Sequence, residues 1–310
     1  MGLALRRGLC AFIALVLLGG VLGVDAGPRP VTLALLGDIS LGRSVHAQEG
    51  SLTSLRPALS SADVALANLE SPLGLAGEGV QPAAAGSLNL CAPAASAPLL
   101  AGWGLDGLAL ANNHRLDCAG RGAAATASAL ERAGLLALGD GAEGEVVYRT
   151  VGGLHLALLA FDDVSAPLDL AAAAERVSAA RKTGAVVIVS MHWGSEYQTA
   201  PSPRQRILAE QLATAGAALI WGHHPHVLQP AEWIETPAGR ALVLYSLGNA
   251  LFDQHGLADT QRSALVQVTL GAEGVQGVEA LPFVIDVRAS RVSPPTAEDA
   301  QAILERLDLR

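Results

Sequence analysis

From residue 31 onward the chain alternates short aliphatic runs with longer alanine-rich stretches, and the runs share a way of ending. Residues 31–36, 62–69, 105–111, 154–161, 185–191, 217–221 and 241–247 are near-continuous apolar segments, the pattern of strands covered on both faces. They lead in turn to Gly37-Asp38, Asn68-Leu69-Glu70, Asn112-Asn113-His114, Asp162-Asp163, His192, His223-His224-Pro225-His226 and Gly248-Asn249. Between them, 119–133, 168–182 and 203–215 suit helices; Pro203 opens the last, and Gly134 and Gly216 stop two of them. Strand and helix in alternation predict an α/β layered domain. Residues 74–98, rich in Gly, Pro, Ala and Ser, break the pattern and read as a long surface loop near the strand ends. Thr296 caps a helix predicted over 300–307.

Composition narrows the chemistry. Hydrophobic residues make up 51% of the 310 but aromatics only 4%, so the core is aliphatic. A net charge of −9 without a basic stripe excludes a non-specific nucleic-acid surface. The single lysine, Lys182, sits beside Arg181 at a helix end, a solvated position rather than a Schiff-base site. Arg6-Arg7 followed by the apolar run 9–24 reads as an export signal, with Val24-Asp25-Ala26 offering a cleavage site before Gly27. Residues 1–26 are therefore a signal peptide or an uncleaved membrane anchor, and the expected location is the periplasm or cell envelope. Cys10 lies in the leader; Cys91 and Cys118 remain as a candidate disulfide in an oxidising compartment.

Ligands of open α/β sheets gather outside the carboxyl ends of the strands. Here that edge would hold Asp38, Glu70, Asn112, Asn113, His114, His192, His224 and His226. If the chain leaves its strand extended, His224 and His226 face the same way. A mixed oxygen and nitrogen set without thiolate suits Mn, Fe or Zn. Two such ions, about 3.5–4 Å apart, would polarise a phosphoryl oxygen, and a nearby histidine could protonate the leaving oxygen. Each residue alone has a plainer reading: Asp38 and Asn112-Asn113 as turns, His192 as a core histidine, Asp162-Asp163 as a solvated turn. Their joint occurrence at strand ends favours a metal site.

The blocks GDISLGR (37–43), NLESPL (68–73), ANNHRLDCAG (111–120), HWGSEY (192–197), GHHPHVLQP (222–230) and YSLGNALFDQ (245–254) closely resemble the CapA family of poly-γ-glutamate capsule synthesis proteins. That family is similar to the calcineurin-like metallophosphoesterases. The resemblance implies an α-β-β-α sandwich over residues 30–290, with a C-terminal tail and helix over 291–310. It also implies one or two divalent ions. Asp38 resembles the first-strand metal ligand, Glu70 a bridging carboxylate, Asn113 an amide ligand and His114 its partner acid. His192 and His224 resemble ligands of one ion and His226 of the other. Arg43, a few residues past Asp38, is either within reach of an anionic substrate or a surface arginine, and Glu196, Asn249 and Asn112 resemble groups that orient the ligands.

Two departures bear on the metal count. Ser40 stands where the superfamily has the histidine of Asp-x-His, and Glu70 replaces the usual aspartate, so the site is either dinuclear with a longer carboxylate arm or holds one ion tightly. Three functions follow: a capsule synthesis or export component working with membrane partners, a free-standing phosphoesterase of the envelope, or a metal-binding scaffold without turnover. Any contact with an anionic polymer would be local, through metal or through Arg43 and Arg115.

Overall fold

The computed structural model describes residues 27–74, 88–118, 122–139, 145–237 and 239–309. The leader 1–26 and residues 75–87 of the expected loop lie outside the described residues. In chain order the elements are β1 (Val31–Ile39), α1 (Arg56–Ser61), β2 (Val64–Leu69), β3 (Leu73–Gly74), β4 (Ala92–Pro93), α2 (Ala97–Gly102), β5 (Gly107–Ala109), α3 (Gly122–Arg132), β6 (Leu136–Leu138), β7 (Val147–Val151) and β8 (Leu154–Asp162). There follow α4 (Leu170–Lys182), β9 (Val186–His192), α5 (Pro203–Ala215), β10 (Ala217–His223), β11 (Leu228–Thr236), β12 (Gly239–Leu247), β13 (Asn249–Leu251), β14 (Arg262–Gly271), β15 (Gly274–Asp286), β16 (Arg291–Ser293) and α6 (Ala297–Leu307).

Two sheets stack face to face. The larger runs β16-β15-β14-β1-β2-β5-β6, with β13 beside the end of β1; the smaller runs β11-β12-β10-β9-β8-β7. Strand alternation sorts the core. On β1, Val31, Leu33 and Leu35 enter the layer between the sheets with Leu156, Leu219 and Trp221. Ala34 and Leu36 face the opposite way, toward Leu59 of α1, Leu100 of α2 and Leu130 of α3. The far face of the smaller sheet packs on Val177 of α4 and Leu208 of α5. Helix, sheet, sheet and helix make the four layers of an α-β-β-α sandwich, and both sheets being covered explains why the strands read as unbroken apolar runs.

Local chemistry sets the helix ends. Ser202 and Gln205 form a reciprocal capping box on α5 behind Pro203, Asp169 caps α4, and Thr296 caps α6. Sequence periodicity misses β7, β11 and the β14–β15–β16 meander. Along β15 half-buried residues predominate and Glu279 and Pro282 interrupt the apolar series, because this strand lies toward the sheet's edge. The expected loop 74–98 is also partly corrected: β4 pairs in parallel with β3, and α2 begins inside it. The chain set apart after residue 290 is built into the sandwich, with β16 pairing β15 and Ile303 and Leu307 of α6 buried between the sheets.

The sheets meet closely where β12 gives way to β13. Between β12 and β13 the chain leaves the smaller sheet and enters the larger one through Gly248 alone, whose φ is +66°. There Asp38 N donates to Gly248 O at 2.9 Å and pairs in register with Asn249. Gly37 permits the approach, since a Cβ on it would lie 1.9 Å from Gly248 O. The prediction is that Gly37→Ala lowers stability by about 1–3 kcal/mol in urea unfolding. Gly102→Ala, where nothing lies within 4 Å of an added Cβ, should stabilise by about 0.4–1 kcal/mol or leave stability unchanged. Equal midpoints for Gly37→Ala and wild type would refute the close approach.

Candidate metal centre

The carboxyl ends of the parallel strands of both sheets converge on one buried centre. Asp38 comes from β1, Glu70 from the residue after β2, Asn112, Asn113 and His114 from the turn after β5, and His192 from the end of β9. His223 ends β10 in register with His192, and Asn249 begins β13. Asp38, Glu70, Asn112, His192, His223, His224, His226 and Asn249 are all buried, while Asn113 and His114 are half-buried.

His224 and His226 reach the centre differently from the extended-chain expectation. Both have left-handed backbone, with φ of +91° and +59°, so a tight turn around Pro225 brings their rings to 5.9 Å apart. Non-glycine residues adopt this conformation at a cost of about 1–3 kcal/mol, sustained by the surroundings. Here His224 N donates to Asp38 Oδ2 at 3.1 Å, and Tyr197 N donates to Pro225 O at 2.8 Å.

Glu70, His224 and His226 offer ligand atoms that all lie within 4.8 Å of one another. Glu70 Oε1 is 3.6 Å from His226 Nε2 and 3.7 Å from His114 Nε2. Both gaps exceed hydrogen-bond length; the first fits two ligands each about 2.1 Å from a shared tetrahedral ion, which sit about 3.4 Å apart. Among the described residues, the buried side-chain atoms without a partner include Glu70 Oε2, His192 Nδ1, both ring nitrogens of His223 and His224 Nδ1. Buried polar atoms are ordinarily satisfied, so five orphans on four neighbouring residues fit a cation.

Neighbouring amides set the rings. His226 Nδ1 pairs with Asn249 Oδ1 at 2.9 Å, which leaves Nε2 facing Glu70. His192 Nε2 pairs with Asn113 Oδ1 at 2.7 Å, so Asn113 orients His192, and its Oδ1 is occupied by that ring. Asn112 donates to Leu69 O at 2.9 Å and accepts from His114 N at 3.1 Å, tying the turn to β2. Asp38 is likewise engaged, accepting from Asn68 Nδ2 at 2.7 Å. Arg43 is paired with Asp253, and Glu196 is exposed on the rim, where its charge reaches Glu70 and His224.

Burial dominates the electrostatics. It holds His192 well below the usual imidazole range, helped by His224, and lowers His224 to about 4, helped by His226. Both rings are therefore neutral at pH 7 with a free lone pair. Burial also pushes Glu70 up to about 7, opposed by His226 and reinforced by Asp38. For His226 burial opposes the charge, but Glu70 and Asp38 outweigh it and raise the ring to about 9. Burial likewise resists ionisation of Asp38, yet His223 and His226 hold its carboxyl well below the usual range.

Several positions in or beside the centre escaped sequence reasoning. His223 Nδ1 lies 3.5 Å from Asp38 Oδ1, and its ring meets Trp221 edge-on at 4.5 Å. Its signal was present, a third histidine in the same turn. Asp117 pairs with His114 Nδ1 at 3.0 Å and also accepts from Leu90 N at 2.6 Å. Asp163, expected as a solvated turn, has a buried carboxylate bound to Arg204 Nε at 2.7 Å. The expected disulfide is present: Cys91 and Cys118 are bonded, with Cα atoms 5.0 Å apart, and the bridge fastens the His114 turn to the chain entering β4.

Residues 32–254 match the family described as bacterial capsule synthesis protein PGA_cap. The chain is similar to the capsule biosynthesis protein CapA of Bacillus anthracis, 32% identical over 82% of this chain and 67% of that protein. It is similar also to the PGA biosynthesis protein CapA of Bacillus subtilis strain 168, 33% identical over 85% of this chain and 73% of that one. A crystal structure of a hypothetical protein from Thermus thermophilus shares the fold with a TM-score of 0.54 at 16% identity, covering 82% of this chain and 99% of that one.

A chain beginning at Gly27 should show no maleimide-reactive thiol when denatured without reductant, and two after reduction. Closing a loop whose ends are 27 residues apart should raise stability by about 3–4 kcal/mol over the reduced form in urea. Labelling of the unreduced protein would contradict the bond.

Proposed function

The chain belongs to the PGA_cap family of bacterial capsule synthesis proteins, and from that premise we propose that it is an exported component of poly-γ-glutamate capsule synthesis or export with a metal-dependent hydrolytic centre. Residues 1–26 direct it to the envelope, as signal peptide or anchor, and residues 30–310 carry the working domain. Its partners are the membrane proteins that make or export the polymer. The observation that carries the metal assignment is the group of orphaned buried nitrogen and oxygen atoms around Glu70.

Glu70, His224 and His226 would hold a divalent Mn, Fe or Zn ion, with His192, His223 and Asp38 at its margin. Such an ion supplies Lewis acidity toward an oxyanion. His114 is placed for proton transfer: Asp117 accepts from Nδ1, so Nε2 faces the centre, where it can take a proton as the neutral ring and give one to a leaving oxygen as the imidazolium. Asn249 and Asn113 fix the tautomers of His226 and His192. Ser40, fully buried, accepts weakly from Gly42 N at 3.4 Å and offers no imidazole, which favours one tightly held ion. Ser40 also favours a second reading, a metal-binding scaffold without turnover.

Metal analysis of protein purified without added salts should give a stoichiometry near one, and a value near two would reject the mononuclear version. Added Mn²⁺ at a hundred times its Kd should raise stability by about 2.7 kcal/mol, an effect lost in Glu70→Gln and His226→Ala. His114→Ala should keep that response yet lose turnover of generic phosphodiester and phosphomonoester substrates. If wild type binds Mn²⁺ and turns over none of them, the scaffold reading replaces the hydrolase. A poly-γ-glutamate producer lacking its own family member should regain capsule from this chain, and failure to do so would remove the capsule role.

A further inference from the structure

A second feature adjoins the centre. A cavity of about 290 Å³ lies between the ends of β5, β6 and β8 and the start of α4, with Arg115, Phe161, Asp162, Leu168, Asp169 and Arg176 in its wall. It is one strand from the ligands: Asp162 pairs in register with His192, and Asp163 N donates to His192 O at 2.8 Å. Arg115 directly follows His114. A group bound here would belong to a molecule that also reaches the centre.

The charges in the wall are not equivalent. Asp162 is already satisfied, its Oδ1 accepting from Val164 N at 2.8 Å and Ser165 N at 3.2 Å and its Oδ2 from the Ser165 hydroxyl. Asp169 is held as the cap of α4 by Ala172 N at 3.1 Å. Arg176 is engaged within the protein. Arg115 is half-buried, and its guanidinium makes no hydrogen bond or ion pair among the described residues. Arg43, the other arginine expected to meet an anion, is bound to Asp253.

We infer that this cavity is a specificity pocket for a carboxylate on a short aliphatic arm, with Arg115 as its recognition residue. The ligand is the pendant α-carboxylate of a γ-linked glutamate unit, so the inference rests on the polymer reading above and deepens it. One guanidinium fork matches one planar carboxylate in a bidentate pair. Phe161 and Leu168 suit the methylene arm. A doubly charged phosphate would meet about twice the repulsion from Asp162 and Asp169 that a singly charged carboxylate meets, which disfavours that anion here.

The test is fluorescence anisotropy with a labelled γ-linked hexaglutamate on Mn²⁺-loaded protein, at an ionic strength of about 0.15 M. Arg115→Ala should weaken binding at least tenfold, Arg115→Lys less, and Arg115→Glu more than either. The same hexamer with its α-carboxylates converted to carboxamides should bind wild type no better than the acidic hexamer binds Arg115→Ala. A normal circular dichroism spectrum and Mn²⁺ thermal response would show that the variant is folded with its centre intact. Binding to Arg115→Ala within twofold of wild type would overturn the pocket and leave the polymer reading standing. No binding of the acidic hexamer to wild type would overturn both.

Discussion

Two carboxylates, Asp38 and Glu70, lie in the interior with at most 1% of their surface exposed, and this burial of charge constrains everything around it. An isolated ion taken out of water costs several kcal/mol, so a fold that contains two must surround them with donors or cations. Asp38 is met from three segments: the Asn68 amide on β2, the His224 N–H after β10, and the His226 ring held by Asn249 from β13. No single stretch of chain supplies that set. The two sheets must therefore be held in a fixed relation, and the Gly37–Gly248 contact and the Trp221 Nε1 bond to Leu36 O both tie them together beside Asp38.

The scaffold around the centre is stiff where precision matters. Gln205, part of the α5 cap, donates to Gln229, which in turn donates to the carbonyls of Gln198 and Ala200. That relay holds the loop carrying Glu196 and Tyr197, and Tyr197 N closes onto Pro225 between the paired histidines. On the opposite side the Cys91–Cys118 bridge and Asp117 fix the His114 turn to β4. Left-handed backbone at His224, His226, Tyr197 and Cys118 is concentrated in these same turns, as expected where strain is sustained by surrounding bonds.

Family membership and site geometry speak to different questions. Likeness over residues 32–254 covers the six blocks that line the centre, and the fold persists in a protein of 16% identity. Around Asp38 the two sheets contribute unlike groups: Ser40 lies two residues on, just past β1 of the larger sheet, while His223 brings an imidazole from the facing sheet to within 3.5 Å of the carboxylate.

The strand ends, the capped helices and most of the candidate ligands were legible in the chain because each depends on neighbours in sequence: an apolar run covered on both faces, a Ser-Pro opening a helix, a polar residue after a strand. The sandwich with its metal-type edge followed from that spacing together with the family resemblance. What the chain alone left open is set by contacts between distant segments. The half-buried strands β11 and β15 carry too little apolar pattern to announce themselves. The roles of Asn113, Asp163 and His223 depend on which partner lies across the interface, and the left-handed turn at His224–His226 is stabilised by Asp38, far away along the chain. Only the tertiary structure decides these points, because the free energy of a buried polar group is determined by the donors and acceptors enclosing it, and those come from elsewhere in the chain.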